Sequence, residues 1–443
     1  MRPVHSFARR RLFATAAVAL LAAPPALAQD GASIDSGDTA WMLVASALVL
    51  LMTLPGLALF YGGLVRAKNI LNVLVQCFAA AAVAGVLWIA VGYSLAFSGS
   101  NPFVGDFAKA MLSGVTIDSV TENFATPPRL IPEYVFVMFQ AMFAIITPAL
   151  IIGAIAERMK FSAFVVFISL WLLVVYCPIA HMVWAADGYL FAKSAIDFAG
   201  GLVVHMSSGY SALVAALMLG ARRGYGKQPM TPNSLPLCLT GAGLLWAGWF
   251  GFNAGSALSA SPLAALAFLN TSTAASMATL TWAGIEWIHR GKPTALGAAT
   301  AAVAGLVAIT PACGSVSPAG AIAVGATVAL ICYGSVTFLK VRAGYDDSLD
   351  AFGVHGVGGT WGALAAGLFA TSYPAGDFAT QILVQLEGIA IVGVFAPLAT
   401  WVLLKITGAV CGGLRVSDEH EFLGLDLSEH SESAYSIGGG PGE

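Results

Sequence analysis

Charge is what this sequence most lacks. Asp, Glu, Lys and Arg make up 10% of its 443 residues, against about 25% in an average soluble protein. A chain this long cannot cover a water-facing surface with so few charges. Hydrophobic residues make up 58%, so the lipid bilayer is the expected solvent and partner. A net charge of −3 leaves no basic footprint for nucleic acid. Chemical signatures are missing too. There is no Walker loop, dinucleotide fingerprint, nucleophile elbow or zinc-ligand spacing. The sequence therefore points away from an enzyme, a cofactor, a metal site and ATP-driven work. The six cysteines, Cys77, Cys177, Cys238, Cys313, Cys332 and Cys411, stand singly and mostly in apolar runs. They read as buried small thiols.

What is present is organised by the membrane. Residues 1–28 form a secretory signal: basic Arg2, Arg9, Arg10 and Arg11, then an apolar core, then the A-x-A site Ala26-Leu27-Ala28. Pro24-Pro25 ends the apolar core early. Cleavage would leave a mature start near Gln29, outside a bacterial inner membrane. Apolar runs of spanning length follow near 40–62, 70–97, 132–156, 162–184, 198–220, 236–256, 265–288, 294–311, 316–339, 353–371 and 382–407. Eleven spans from an outside start place the C-terminus in the cytoplasm. Sixteen of the twenty Lys and Arg lie beyond the leader, and thirteen of those sixteen fall on the segments this topology makes cytoplasmic. The positive-inside rule agrees with both count and orientation. Glycine and alanine runs, such as 241–243, suit close helix packing. The architecture expected is an all-α polytopic bundle over 29–408, with a cytoplasmic tail over 409–443.

A faint internal repeat runs through it. The fifth span opens with Asp197 and carries His205; the tenth opens just after Asp350 and carries His355. Five spans per half would run in opposite directions, with a final helix added. Inverted repeats of this kind place a substrate site near mid-membrane. Intramembrane histidines are costly, and each one alone could be a packed helix contact. Two of them, one per half, point to a lumen. Neutral imidazole donates from one nitrogen and accepts at the other, so the pair could form an uncharged polar lining. Asp197 could bind a cation or cap the fifth span. Phe143, Trp184, Trp249, Phe252 and Ser256 lie in outer halves of spans. Aromatics there suit an interface belt, or a cation–π cage for a small ammonium ion.

Longer motifs carry a resemblance. The run Asp197 to His205, DFAGGLVVH, is similar to the signature of the ammonium transporter (Amt) family. So are Gly153 to Ser162, His181-Met-Val-Trp184, Gly248 to Ser256, Ile309 to Gly314 and Asp350 to His355. The likeness runs over about 38–436. The related Rhesus branch lacks the outer tryptophan, and Trp184 is present here. The resemblance implies a homotrimer with a pore in each subunit. It implies recruitment of ammonium at Trp184 and Ser256 beside Phe143, and a gate of Phe143 stacked on Phe252. His205 and His355 would line the lumen as a bonded pair, Asp197 would shape the outer site, and Gln140 and Trp249 would line or support the vestibule. The tail, through Gly413-Leu-Arg-Val-Ser417 and Gly424 to Tyr435, resembles the family segment that contacts neighbouring subunits and responds to PII signalling proteins.

The resemblance leaves the transported species to physics. A bare ion entering a low-dielectric lumen meets a penalty on the order of 20 kcal/mol. Ammonium can avoid it by leaving its proton behind and crossing as ammonia. A sensor that signals through its tail is the rival reading, and residues 408–443 hold no kinase or cyclase sequence to favour it.

Overall fold

The computed structural model describes residues 33–123 and 128–435. The signal read over 1–28 and the glycine-rich stretch from Ser436 lie outside the described residues. The helices run in order α1 (Ser36–Leu64), α2 (Ala67–Phe97), α3 (Glu133–Ile155), α4 (Phe161–Ala192), α5 (Gly201–Leu219), α6 (Leu235–Gly255), α7 (Pro262–Arg290), α8 (Ala295–Ile309), α9 (Pro318–Ala343), α10 (352–368) and α11 (Phe378–Val410). All but α8 and α10 are long and apolar enough to cross a membrane, nine among the described residues. The chain is an all-α polytopic bundle. Its only described sheet is a two-stranded ribbon, β1 (Val120–Glu122) antiparallel to β2 (Leu130–Pro132), between α2 and α3. Each apolar run read from the sequence overlaps one helix.

Local sequence sets the helix starts. Ser234, Ser261, Thr294, Ser317 and Asp377 each accept a backbone N–H from three residues on, opening α6, α7, α8, α9 and α11. Pro236, Pro262 and Pro318 occupy the first turns, where a missing N–H costs nothing. The outer faces of the helices carry Phe78, Val86, Leu280 and Val394, all more than half exposed. Such a surface suits lipid. Inside, α6 lies directly on α1: a Cβ on Gly251 would sit 2.8 Å from Ala45 O, and one on Gly241 would strike the backbone nitrogen of Phe60.

Among the described residues six helices contain a π turn, and two of these turns carry the intramembrane histidines: Gly201–Met206 in α5 and Phe352–Gly356 in α10. Such turns shift side chains off the regular helical rows and recur at functional sites.

The described part of the tail runs to Tyr435. It forms α12 (Asp418–Leu423) and α13 (Leu425–His430) and grips the ends of three helices. Asp426 Oδ1 accepts from Asn72 N at 2.8 Å, Glu429 Oε2 from Phe161 N at 2.9 Å, and Glu421 Oε1 from Arg223 N at 2.5 Å. Beneath it, Glu157 is buried with Arg66 at 2.6 Å and Arg222 at 3.5 Å. Burial would push the Glu157 carboxyl up, but Arg222 and Arg66 together hold it below its ordinary 4.5. Arg222 also makes a two-pronged bond to Asp346, at 2.9 Å from each nitrogen.

Candidate functional site

Two cavities and the passage between them mark a route through the bundle. The first holds about 410 Å³ and is lined by Phe97, Phe136, Gln140, Phe143, Trp184, Asp197 and Ser256, among others. The second holds about 140 Å³ and is lined by Phe60, Tyr61, Ser348, Asp350, Val354 and His355, among others. The passage has room for about 10 Å³, the space of a single water. Its wall is Met52, Leu57, Phe60, Ile146, Leu150, Val204, His205, Leu245, Trp249, Phe252, Val303 and His355. The histidines are the only ionisable side chains in that wall.

Aromatic rings fill the line between the cavities. Trp184 meets Phe143 edge-on, with centroids 5.7 Å apart and planes at 85°. Phe143 lies on Phe252 at 4.2 Å and 35°, and this pair divides the first cavity from the passage. Phe252 is followed by His205 at 6.1 Å and His205 by His355 at 5.3 Å, the imidazoles nearly parallel at 22°. The two Nδ1 atoms stand 3.2 Å apart, so one donates to the other. His205 Nε2 is buried and has no hydrogen-bond partner among the described residues.

The sequence places these rings through two matched starts. Asp197 accepts from the N–H groups of Gly201, Leu202 (2.9 Å) and Val203 (3.1 Å), capping α5 eight residues before His205. The carbonyl oxygen of Asp197 accepts from Trp184 Nε1 at 3.0 Å. One residue therefore ties the outer tryptophan to the histidine helix. Between capping and direct cation contact, the geometry gives the cap, with the carboxylate turned to the backbone.

In the second half the matching residue differs from the one expected. Asp347, eight residues before His355, accepts from Ala351 N at 3.1 Å and Phe352 N at 2.7 Å. Asp350, read from sequence as the acidic opening of the tenth span, instead pairs with Lys340 at 2.7 Å and faces the second cavity. The eight-residue interval from Asp197 to His205, laid on His355, would have found Asp347. Its backbone φ of 59° turns Asp350 out of line with the helix start.

Gln140 lines the first cavity, and its buried Oε1 has no described partner. The Ser256 hydroxyl lines the same cavity and donates to Phe252 O at 2.9 Å, leaving its lone pairs free to accept. Trp249 does not reach this vestibule. It donates to Thr310 Oγ1 at 2.8 Å and stacks on His205 at 5.4 Å and 23°, inside the passage. Phe60 and Val303 went unmarked in the sequence. They border the passage and the second cavity together with His355, and plain apolar residues on helices of apolar residues carry no signal of it. Among the described residues no group of three His, Cys, Asp or Glu could hold a metal ion.

Two mouths joined by a narrow apolar passage, polar only at a buried imidazole pair, define a membrane conduit for a small solute. The profile of the Ammonium Transporter Family matches residues 40–435, nearly all of the described chain, and the chain belongs to that family. It is 47% identical over 418 residues to the ammonium transporter of Aquifex aeolicus, covering 92% of this chain and 95% of that one. Among solved structures it is similar to Mep2 of Candida albicans, at TM-score 0.80 and 35% identity, with 90% of each chain covered. It is also similar to a Sensor Amt Protein, at TM-score 0.81 and 28% identity, over 89% of this chain and 98% of that one.

Proposed function

We propose that this chain is an ammonium transporter that receives NH4⁺ at the first cavity and conducts NH3 into the cytoplasm. The observation that carries the reading is the passage: about 10 Å³ of apolar space whose only ionisable lining is His205 and His355. Ions of every size pay heavily for leaving water there, and a solute that can become neutral does not. Trp184 and Phe143 offer ring faces to a cation, worth about 0.5–2 kcal/mol each. Ser256 and Gln140 Oε1 offer acceptors to its N–H groups. There the ion gives up a proton, passes between the rings of Phe143 and Phe252 as they part, and travels along the imidazole pair. The freed proton crosses separately by way of the bonded histidines, which makes net transport electrogenic.

The reading extends to the rest of the molecule. All eleven helices cross the membrane as two inverted sets of five plus α11, a pattern supported by the matched caps at Asp197 and Asp347. The signal over 1–28 is removed, the mature N-terminus lies outside the bacterial inner membrane, and α12 and α13 lie in the cytoplasm. Three copies assemble, each with its own path, and a PII-type protein blocks the path from the cytoplasmic side, where Arg223 and Lys227 are exposed. The likeness to a Sensor Amt Protein favours the sensor as second reading. Accumulation of ammonium inside liposomes holding the purified chain separates the two. A transporter fills the vesicles down the gradient; a sensor binds without filling them.

A further inference from the structure

Gly209 and Gly359 occupy the same place relative to the two histidines. Each lies four residues after its own histidine, one turn further along α5 or α10. Each also faces the peptide link that follows the histidine of the other helix. A Cβ on Gly359 would lie 2.9 Å from His205 Cβ and 3.0 Å from Met206 N. A Cβ on Gly209 would overlap Gly356 N and Gly356 Cα and sit 2.8 Å from the carbonyl carbon of His355. The two helices therefore cross at a glycine from each side, and the histidine turns ride on that crossing. At this point the buried Nε2 of His205, without a described partner, borders the passage.

We infer that Gly209 and Gly359 are specificity-determining positioning residues: the missing side chains let α5 and α10 approach until the imidazoles bond, and that approach keeps the passage too narrow for a hydrated ion. The inference rests on the transport reading above and adds the residues that set its selectivity. Carbon atoms in contact settle at about 3.5–4.0 Å, so an alanine at 359 must push the His205 turn away by roughly 0.5–1 Å. The Nδ1 atoms start 3.2 Å apart. A shift of that size carries them past the roughly 3.2 Å limit of a good N–H···N bond. Two imidazoles deprived of each other draw in water, and a passage with room for one water gains room for a file of them. A watered passage no longer strips an ion bare, so potassium should follow.

The test uses the full chain in liposomes, with currents on a solid-supported membrane and a cryo-electron-microscopy structure of each variant. Gly359→Ala is the mild change and Gly209→Ala the harsh one, which is expected to lower the yield of assembled protein. Gly362→Ala is the control. It lies on the same helix, its Cβ would meet Ala308 O at 2.5 Å, and it faces α8 rather than α5. The expected result is a widened imidazole pair and a new potassium-evoked current in Gly359→Ala, with neither change in Gly362→Ala. A folded Gly359→Ala protein that keeps the imidazoles bonded and passes no potassium overturns the inference, even if the wild type carries ammonium. If the wild type carries no ammonium while Gly359→Ala still spreads the pair, the transport reading falls and the placement of the glycines stands. Equal potassium leaks in Gly359→Ala and Gly362→Ala would show that any strained helix contact leaks, and would also overturn it.

Discussion

Replacing His205 with aspartate puts a fixed negative charge where a neutral ring now stands. His205 is buried, stacked on Trp249 and within 3.2 Å of His355 Nδ1, so the new carboxylate would face the passage with little water to screen it. A cation about 4 Å from a carboxylate gains roughly 4 kcal/mol at an effective dielectric near 20. Taken off the barrier to ion entry, this is about a thousandfold in rate. The effective penalty for a desolvated ion in a protein is several kcal/mol, so the charge offsets much of it. His205→Asp should therefore pass ammonium as an intact ion and lose discrimination against potassium. His355→Ala adds no charge but leaves His205 without its partner, so it should impair transport and admit potassium only through a watered passage, with a smaller current than His205→Asp. The assay is potassium-evoked current in liposomes, with each variant checked for assembly. A folded His205→Asp protein with full ammonium selectivity and no potassium current would place His205 outside the conducting path.

The other expectations reach further out. Asp197→Ala should abolish uptake, because it frees the N–H groups of Gly201, Leu202 and Val203 and loosens the anchor of Trp184; wild-type uptake by this variant would refute the capping role. Asp197→Glu should retain part of the rate. Arg222→Ala leaves Asp346 buried without its two-pronged partner, while Glu157 keeps Arg66, which should cost about 3–5 kcal/mol of stability in a detergent melt; a loss under 1 kcal/mol would show that the cluster is slack. Because Glu157 is held below its ordinary 4.5, the pairing is intact above that pH and fails as acid takes it through the lowered value. Deleting 409–443 removes the carboxylates that hold Asn72, Phe161 and Arg223, and should weaken activity or regulation; unchanged transport and unchanged binding of a PII-type protein would contradict it. Intact-mass analysis of the membrane-inserted protein should show a start near Gln29, and a mature protein that retains Met1 would sink the signal reading.

Much of this was open to sequence reading because the membrane writes in coarse letters. Apolar runs against sparse charge outline the helices, and α8 and α10 were legible even though they are short. His205 and His355 stood out as ionisable residues among glycine and valine. Phe143, Phe252, Trp184 and Ser256 came through family motifs rather than through composition, where a lipid-facing belt was as good an account. What escaped was whatever depends on a partner far along the chain. Asp350 lies nearest the start of α10, and only the cap geometry shows that Asp347 holds it. Trp249 sits in an outer-site motif, yet its bond to Thr310 turns its ring onto His205. The contact of Gly359 with His205 joins residues whose chain separation leaves no local pattern.

The central claim is that the passage admits ammonium by letting it become neutral and refuses ions that cannot. The most direct measurement is the current evoked by ammonium and by potassium pulses at equal concentration, on a solid-supported membrane carrying the wild-type chain in liposomes. The account predicts a transient current with ammonium and none with potassium. Equal currents from the two ions would contradict it, because potassium has no proton to leave behind.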